Sequence, residues 1–376
     1  DGLAPPPAGE GVQYKMVIDL PAGQEFERCQ FVLAPADGLN VVKQKIRYTA
    51  GSHHVLLFTT PLTEIPAKYG TEVFECDGFG DVTQVDSLLA GAQSAESAFI
   101  ENLPPGVALR AKPNQVMLLN AHYLNASTKD IVADVRVNLH TIPDSEVKHE
   151  AGVIFWYNFF AHIGPMSTAK TQLQCPVTQD VHMVDTQSHM HARGNGFEAF
   201  LLDGKHGKQV EMLYENTEWE AVPVKKWDGE GKLLKKGQWI NWECSYNNPS
   251  MRTIVQGGKT VDEMCMFVGA YYPRNVDFEL CSTEKGINNW MLSSEAKGYG
   301  KTSCADTLAC IASNDILSEG YQKCVKDSCP KAAQEMTNIV KCHITGAFGA
   351  CPDGKTECLL SKCDAQIQAC NAVTCE

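Results

Sequence analysis

The chain lacks an excess of positive charge and a long apolar run. It has 32 Lys and Arg against 45 Asp and Glu, a net charge of -13. Nucleic acids and anionic membranes attract basic patches, so neither is expected as a partner. The longest apolar stretch, residues 153–163, contains Asn158 and His162 and is too short for a transmembrane segment. Residues 1–11, rich in Pro and Gly, are expected to be a processed N-terminus.

Cysteine, in contrast, is abundant. The chain has 16 Cys, an even number, and most are expected to form disulfides. This predicts an oxidising location: secreted, periplasmic or cell-surface. Six Cys lie in residues 1–303 and ten lie from Cys304 to Cys375. The change in density predicts a domain boundary near residues 294–302.

Residues 12–293 are predicted to be mainly β. Short runs rich in Val, Leu, Phe and Tyr alternate with Gly, Pro, Asn and Asp turns, as at residues 41–48, 54–60, 115–122, 132–139 and 197–202. About 280 residues are too many for one ordinary sandwich. We therefore expect two antiparallel β-sandwich (jelly-roll-like) domains, at residues 1–147 and 148–296, followed by a third unit at 297–376.

The third unit is predicted to be a disulfide-rich α-helical segment. Ala, Lys, Gln, Leu and Glu are frequent in residues 331–341, and Pro330 suits a first helical turn. Two antiparallel helices crosslinked as Cys304–Cys329 and Cys310–Cys324 would fit the Cys spacing. The remaining pairs are left open.

Six candidate metal ligands stand out. His53, His54 and His122 lie in the first half of the sequence, and His189, His191 and Met264 lie in the second. Zinc, calcium and magnesium sites rarely use Met, whereas a thioether suits Cu(I) and imidazole suits both copper oxidation states. The two sets predict two copper ions per chain.

Each signal has a plainer interpretation when taken alone. His-x-His puts both rings on one face of a strand, but such a pair can also be solvated. Adjacent His53 and His54 would point to opposite faces unless the strand is distorted, which Gly51 and Ser52 would permit. A lone His122 or Met264 is more often a core residue.

The residues around the six candidates are more specific. The motifs are His53-His54-Val55-Leu56-Leu57-Phe58, Asn120-Ala121-His122-Tyr123, His189-Met190-His191-Ala192-Arg193-Gly194, Asp262-Glu263-Met264-Cys265 and Tyr271-Tyr272-Pro273. Together they resemble the copper type II, ascorbate-dependent monooxygenases, a family that includes peptidylglycine alpha-hydroxylating and dopamine beta-monooxygenases. The resemblance covers roughly residues 25–285.

The resemblance implies two β-sandwich domains with one copper each, facing across a solvent-filled cleft. His53, His54 and His122 would hold the electron-transfer copper. His189, His191 and Met264 would hold the copper that binds dioxygen and hydroxylates a C–H bond, with ascorbate as reductant. It also implies three disulfides, Cys29–Cys76, Cys175–Cys281 and Cys244–Cys265, and a family counterpart for His182.

The substrate positions depart from the family. Peptide-amidating members have an Arg two residues before His-x-His and a Tyr four residues after the Met; here these are Gln187 and Val268. An amide poorly replaces a charged carboxylate clamp, so we expect a small organic substrate other than a glycine-extended peptide.

Two alternative functions stay open at this point. One is a non-catalytic extracellular copper-binding protein that retains the ligands. The other is a cupin-type zinc or iron site using Glu198, which leaves Met264 and the His53-His54 pair unexplained.

Overall fold

A computed structural model describes residues 2–76, 85–93, 98–158, 161–255, 257, 260–279, 281, 300–313, 323–324, 327–332, 335, 338–339, 342 and 361–375. The boundary predicted near residues 294–302 lies mostly outside these residues. Within the described part of the chain, no helix has the length and apolarity needed to cross a membrane.

The first part of the chain folds into two facing sheets. Its strands are β1 Gly11–Leu20, β2 Glu25–Leu33, β3 Leu39–Tyr48, β4 Ser52–Thr59, β5 Phe74–Glu75, β6 Ser87–Ala92, β7 Ala98–Asn102, β8 Val107–Ala111, β9 Val116–Leu124, β10 Ile131–Thr141 and β11 His149–Glu150. One sheet has the order β1-β10-β3-β8-β11, with β7 also paired to β3; the other has the order β5-β2-β9-β4-β6. Only the β11–β8 pair is parallel among these pairings.

The second part repeats this architecture. Its strands are β12 Gly152–Tyr157, β13 His162–Ile163, β14 Ser167–Pro176, β15 Val181–Met183, β16 Asp185–His189, β17 Gly194–Leu202, β18 Gln209–Asn216, β19 Lys225–Lys226, β20 Lys232–Leu234, β21 Trp239–Asn248, β22 Ile254–Val255 and β23 Met266–Tyr272. One sheet has the order β19-β16-β23-β15-β20, with β12 on β23. The other has the order β14-β21-β17-β18, and β13 pairs with β22.

These observations confirm the predicted mainly-β fold with β-sandwich domains. Each of the five runs identified from the sequence lies within a strand, apart from at most one residue at its ends. The first pair of sheets extends through β11, three residues past the expected division at residue 147, because β11 pairs with β8.

Alternating burial explains why the strands form. In β1, Tyr14, Met16 and Ile18 are buried, and the residues between them are exposed. β23 is buried along its whole length. Phe267 and Tyr271 face the core of the second domain, whereas Ala270 and Tyr272 join the core of the first. The side chains of β23 therefore contribute to both hydrophobic cores, and the two domains pack directly on each other.

Three short α-helices whose ends are described follow β23. α1 spans Val276–Glu279 and packs on the second domain through Phe278, whereas α2, Cys304–Ala312, and α3, Asp364–Asn371, lie in the C-terminal segment. The described positions between Pro330 and Cys342 are helical, as predicted. The cluster formed by Cys304, Ile339 and Cys370 lies between these helices.

Seven disulfides join described cysteines. The three implied by the family resemblance, Cys29–Cys76, Cys175–Cys281 and Cys244–Cys265, are confirmed. In the tail, Cys310–Cys324 is confirmed. The predicted Cys304–Cys329 pair is wrong: the tail bridges are Cys304–Cys370, Cys329–Cys375 and Cys342–Cys363. The prediction considered neighbouring helices only, but α2 packs against α3, more than fifty residues later in the chain.

Candidate metal centre

A β-bulge shapes the first candidate set. On β4, Ser52 pairs with Tyr123 and His54 pairs with His122, so His53 is an extra residue in the ladder. A bulge interrupts the alternation of a regular strand, which is the distortion that adjacent histidine ligands require. The His53 side chain lies outside the described part of the molecule. His54 and His122 are cross-strand neighbours, and their ring centroids are 5.2 Å apart.

Acceptors on the first domain orient these two rings. The Nε2–H of His54 donates to Asn120 Oδ1 at 3.2 Å. The Nε2–H of His122 donates to Glu25 Oε1 at 2.8 Å. A neutral imidazole carries one N–H and one lone pair, so in the neutral form of each ring these hydrogen bonds leave the lone pair at Nδ1. Burial lowers the pKa of His54 and favours this neutral form.

Glu25 also reaches the second domain. Its Oε1 accepts hydrogen bonds from the backbone N–H of Thr260 at 3.0 Å and from its hydroxyl at 2.7 Å. The hydrogen bond from His122, followed by those from Thr260, lowers the Glu25 pKa to about 2, although burial acts in the opposite direction. One ionised carboxylate thus ties a histidine of the first set to the loop that precedes Met264.

The second set begins at the end of β16. His189 is the last residue of that strand, and His191 lies just beyond it rather than on it. The alternation nevertheless continues: Met190 points into the core of the second domain, and the rings of His189 and His191 lie 5.2 Å apart. A Cβ on Gly194 would come within 2.7 Å of Met190 Cβ, so the turn that follows requires glycine.

The second set presents the opposite ring nitrogens. The Nδ1–H of His189 donates to Gln93 Oε1 at 2.5 Å, and the Nδ1–H of His191 donates to the Asp262 carbonyl at 3.3 Å. These bonds assign the lone pair to Nε2 in both rings. Burial lowers the pKa of His191 to about 3 and that of His189 well below its ordinary value. Both rings are therefore neutral near pH 7, the form that binds metals.

Glu263 joins the two segments of the second set. Its carboxylate is completely buried. Oε2 accepts the backbone N–H of His191 at 3.0 Å and of Met264 at 3.3 Å, and Oε1 accepts the N–H of Arg193 at 2.6 Å. Burial raises the Glu263 pKa to about 7 despite these bonds. The Met264 carbonyl also accepts the Tyr246 hydroxyl at 2.9 Å, so both sides of the Met264 backbone are held.

The two sets lie against each other. The ring centroids of His54 and His189 are 5.9 Å apart. At these two rings the sets are therefore in contact, rather than separated by the solvent-filled cleft that the family resemblance implies. The Gln93–His189 and Glu25–Thr260 bonds and the shared core hold the domains in contact.

A cavity opens beside the rings. It encloses about 1060 Å³, including its open mouth, and its lining includes His54, His189 and Met264. Gln187 and Val268, the two positions that depart from the peptide-amidating members, pair directly across β16 and β23 and also line it. The sequence-predicted substrate positions therefore lie next to the candidate ligands.

The donor set fits copper. Among the described side chains, no three His, Cys, Asp or Glu groups form a ready metal cage. The second set contains only two such groups besides its thioether, and the first depends on His53. Neutral imidazoles held by hydrogen bonds at their other nitrogen are typical of metal ligands, and a thioether added to them favours copper.

Some residues found by sequence lie elsewhere. His182 stacks on Tyr272 at 5.2 Å between ring centroids. Glu198 lies on β17, in the other sheet from His189, where it pairs across the strands with Glu243. The cupin-type site built on Glu198 therefore has no support.

No sequence motif assigns a role to Gln93, Glu25 or Glu263. Gln93 and Glu25 bond to residues 96 and 235 positions away, which no local pattern reveals. Glu263 lies beside Met264, but only the fold brings the backbone of His191 to it.

Comparison with known proteins identifies the second domain. Residues 151–292 match the family described as copper type II ascorbate-dependent monooxygenase, C-terminal domain. The match confirms the family predicted from the motifs for this part of the chain, which is similar to the C-terminal domain of the copper type II, ascorbate-dependent monooxygenases.

Three solved structures are weakly similar to this chain. The major capsid protein P2 of bacteriophage PM2 has a TM-score of 0.31 and 10% identity, over 70% of this chain and 99% of that one. The PBSX exported protein XepA has a TM-score of 0.18 and 8% identity, over 62% and 86%. A structure of infectious bursal disease virus, Gt strain, has a TM-score of 0.17 and 10% identity, over 70% and 74%. Scores this low carry no argument about fold or function.

Proposed function

We propose that this protein is a copper-dependent monooxygenase that hydroxylates a C–H bond of a small organic substrate with dioxygen and an ascorbate-type reductant. The observation that supports this most is the contact between four oriented imidazoles, two of which, His54 and His189, line one cavity together with Met264. The second of the two ligand sets lies in the domain that matches the family.

The proposed ligand sets are those expected from the sequence. His53, His54 and His122 would hold one copper, with Nδ1 as the donor atom of His54 and His122. His189 and His191, through Nε2, and Met264, through its sulfur, would hold the other. Two copper ions per chain follow from this assignment. The oxidising location predicted from the disulfides agrees with a secreted, periplasmic or cell-surface enzyme.

Copper bound there would supply the one-electron chemistry that activates dioxygen. In the overall reaction, one oxygen atom enters the C–H bond as a hydroxyl and the other leaves as water, using two electrons and two protons from the reductant. The protein side chains contribute position and environment. Glu263 holds the His191 and Met264 segments together, Gln93 orients His189, and the cavity wall formed by Phe155 and Val268 excludes water from the substrate.

The first experiment is copper analysis of the reduced protein by metal quantification and X-ray absorption. We expect two copper ions per chain and a sulfur scatterer. Met264→Leu should remove the scatterer, whereas Met266→Leu, which also alters a thioether on the cavity wall, should keep it. A scatterer that persists in the Met264 variant would show that Met264 is not the ligand.

The second experiment measures activity. The copper-loaded protein should consume oxygen when ascorbate and a substrate are present, and His189→Ala should abolish this turnover. Stable binding of two copper ions without any ascorbate-dependent oxygen uptake, across a broad panel of substrates, would instead favour the non-catalytic copper-binding protein.

A further inference from the structure

The cavity beside the ligand sets has mainly apolar walls. The first domain contributes Val41, Leu88 and Leu89, and the second contributes Val153, Phe155 and Met266. Such surfaces bind the hydrocarbon part of a ligand by removing it from water. A small number of polar groups among them would select and orient that ligand.

Gln187 is the polar group best placed to do so. It lies two residues before His189 on β16, and both side chains line the cavity, as strand alternation requires. Gln187 Oε1 is buried and accepts no hydrogen bond from the described residues. Buried acceptors of this kind are usually satisfied. A ligand O–H or N–H directed at Gln187 would satisfy it and bring neighbouring carbon atoms close to His189.

The charged residues on the wall disfavour an anionic ligand. Glu27 and Asp185 line the cavity, against one cation, Lys43. Glu27 Oε1 accepts the Asn120 side-chain N–H at 2.8 Å, and Asp185 Oδ1 accepts the Ala270 backbone N–H at 3.2 Å. Negative charge therefore exceeds positive charge on the wall, and Gln187 offers no charge to a carboxylate.

We propose that this cavity binds a neutral, largely apolar molecule whose hydroxyl or amide N–H donates a hydrogen bond to Gln187. The inference rests on the proposed function in that this molecule is the hydroxylation substrate. The carbon to be hydroxylated then lies near the hydrogen-bonding group, on the side facing His189. The apolar remainder of the molecule extends toward Leu88 and Leu89 of the first domain.

Three probes of matched size test the ligand class: 3-phenylpropan-1-ol, 3-phenylpropanoate and 3-phenylpropylamine. Their binding is measured by calorimetry on copper-free and copper-loaded protein. We expect the alcohol to bind at least about tenfold more tightly than the carboxylate, since a desolvated anion beside Glu27 and Asp185 is costly. The alcohol should also bind more tightly than the amine, because the two wall carboxylates already accept hydrogen bonds within the protein and do not replace the water around an ammonium group. Equal or tighter binding of the carboxylate or the amine, or no detectable binding of the alcohol, would overturn the proposal.

Variants test the role of Gln187. Gln187→Leu should weaken alcohol binding about tenfold, the typical effect of losing one hydrogen bond to a buried group. Gln172→Leu, at an exposed glutamine of β14, is the matched control and should have no effect. Gln187→Arg should shift preference toward the carboxylate. Unchanged affinity in the Gln187 variants would refute the assignment, and the probe comparison on unaltered protein remains decisive if a variant does not fold.

Failure of this inference and failure of the proposed function give different results. Selective alcohol binding that depends on Gln187, without oxygen uptake, would leave the ligand class intact and reject the monooxygenase. Oxygen uptake with charged substrates only would keep the monooxygenase and reject the ligand class.

Discussion

Glu263 offers the sharpest test of how the second ligand set is built. Its buried carboxylate accepts three backbone N–H groups, from His191, Arg193 and Met264. Glu263→Ala leaves all three donors without this acceptor. Each buried donor left unsatisfied costs about 1–3 kcal/mol, so we expect the free energy of unfolding to fall by about 3 kcal/mol or more.

Glu263→Gln should have a smaller effect. Its single amide oxygen can still accept the two N–H groups that now share Oε2, but its NH₂ would face the Arg193 N–H. Losing this one hydrogen bond should lower the free energy of unfolding by about 1–3 kcal/mol. Glu220→Ala, at an exposed carboxylate of the same domain, is the control and should change stability by less than about 0.5 kcal/mol.

The assay is urea unfolding of the copper-free protein at pH 8, where Glu263, with a pKa of about 7, is mostly ionised. Copper content and sulfur scattering are then measured on the loaded variants. We expect Glu263→Ala to lose the sulfur signal together with stability, because the His191 and Met264 segments separate. If this variant unfolds like Glu220→Ala and retains both copper ions, Glu263 does not hold the ligand segments.

Further predictions address the domain contact, the pH response, substrate choice and the tail. Gln93→Leu should weaken copper binding at the second set about 10- to 100-fold, the usual effect of losing the hydrogen-bond partner of a metal-ligating histidine. Competition with a chelator measures this affinity, and an unchanged value would exclude a positioning role for Gln93. In the copper-free protein, His191 of the unfolded state takes up a proton once the pH falls below the ordinary histidine pKa of 6.5. His191 of the folded state takes up a proton only near pH 3, because its pKa is about 3. The free energy of unfolding should therefore fall by about 1.4 kcal/mol for each pH unit below 6.5, down to about pH 3. His191→Asn should remove this loss in urea titrations at pH 6.5, 5.5 and 4.5. An unfolding free energy that depends on pH in the same way in the variant and in the unaltered protein would contradict this prediction. Amidation of glycine-extended peptides, followed by mass spectrometry, should be undetectable or very poor, because losing a charged carboxylate contact costs about 2–5 kcal/mol; efficient turnover would refute this. After partial reduction of the disulfides, limited proteolysis should cut residues 297–376 first, because this segment has a small core and depends on its crosslinks. First cuts within residues 25–285 would contradict this prediction.

The contact between the sets changes one expectation that the sequence supports. Ligands on separate domains would bind metal independently, so that removing one set leaves the other occupied. Glu25 bonds both His122 and Thr260, and Gln93 of the first domain bonds His189. Because these bonds cross the interface, we expect substitutions in one set to lower copper affinity at the other.

The sequence by itself determined the strands and the ligand motifs. Strand formation depends on apolar residues recurring every second position, and this pattern is local, as in β1. The six candidate ligands lie in motifs within short segments, and the three disulfides of the β domains followed from the family resemblance that these motifs carry. The need for a distortion at His53 also followed from local geometry, and the bulge in β4 supplies it.

Only the tertiary structure decided what surrounds these residues. The tail bridge Cys304–Cys370 spans 66 residues, and a bridge that long cannot be derived from the spacing of neighbouring cysteines. The burial of β23 on both faces depends on a second domain packing against it. The orientation of each histidine ring depends on acceptors such as Gln93 and Glu25, which are distant in sequence. Hydrogen bonds and burial act between groups that are near in space, so the environment of the site emerges only when the two domains are packed together.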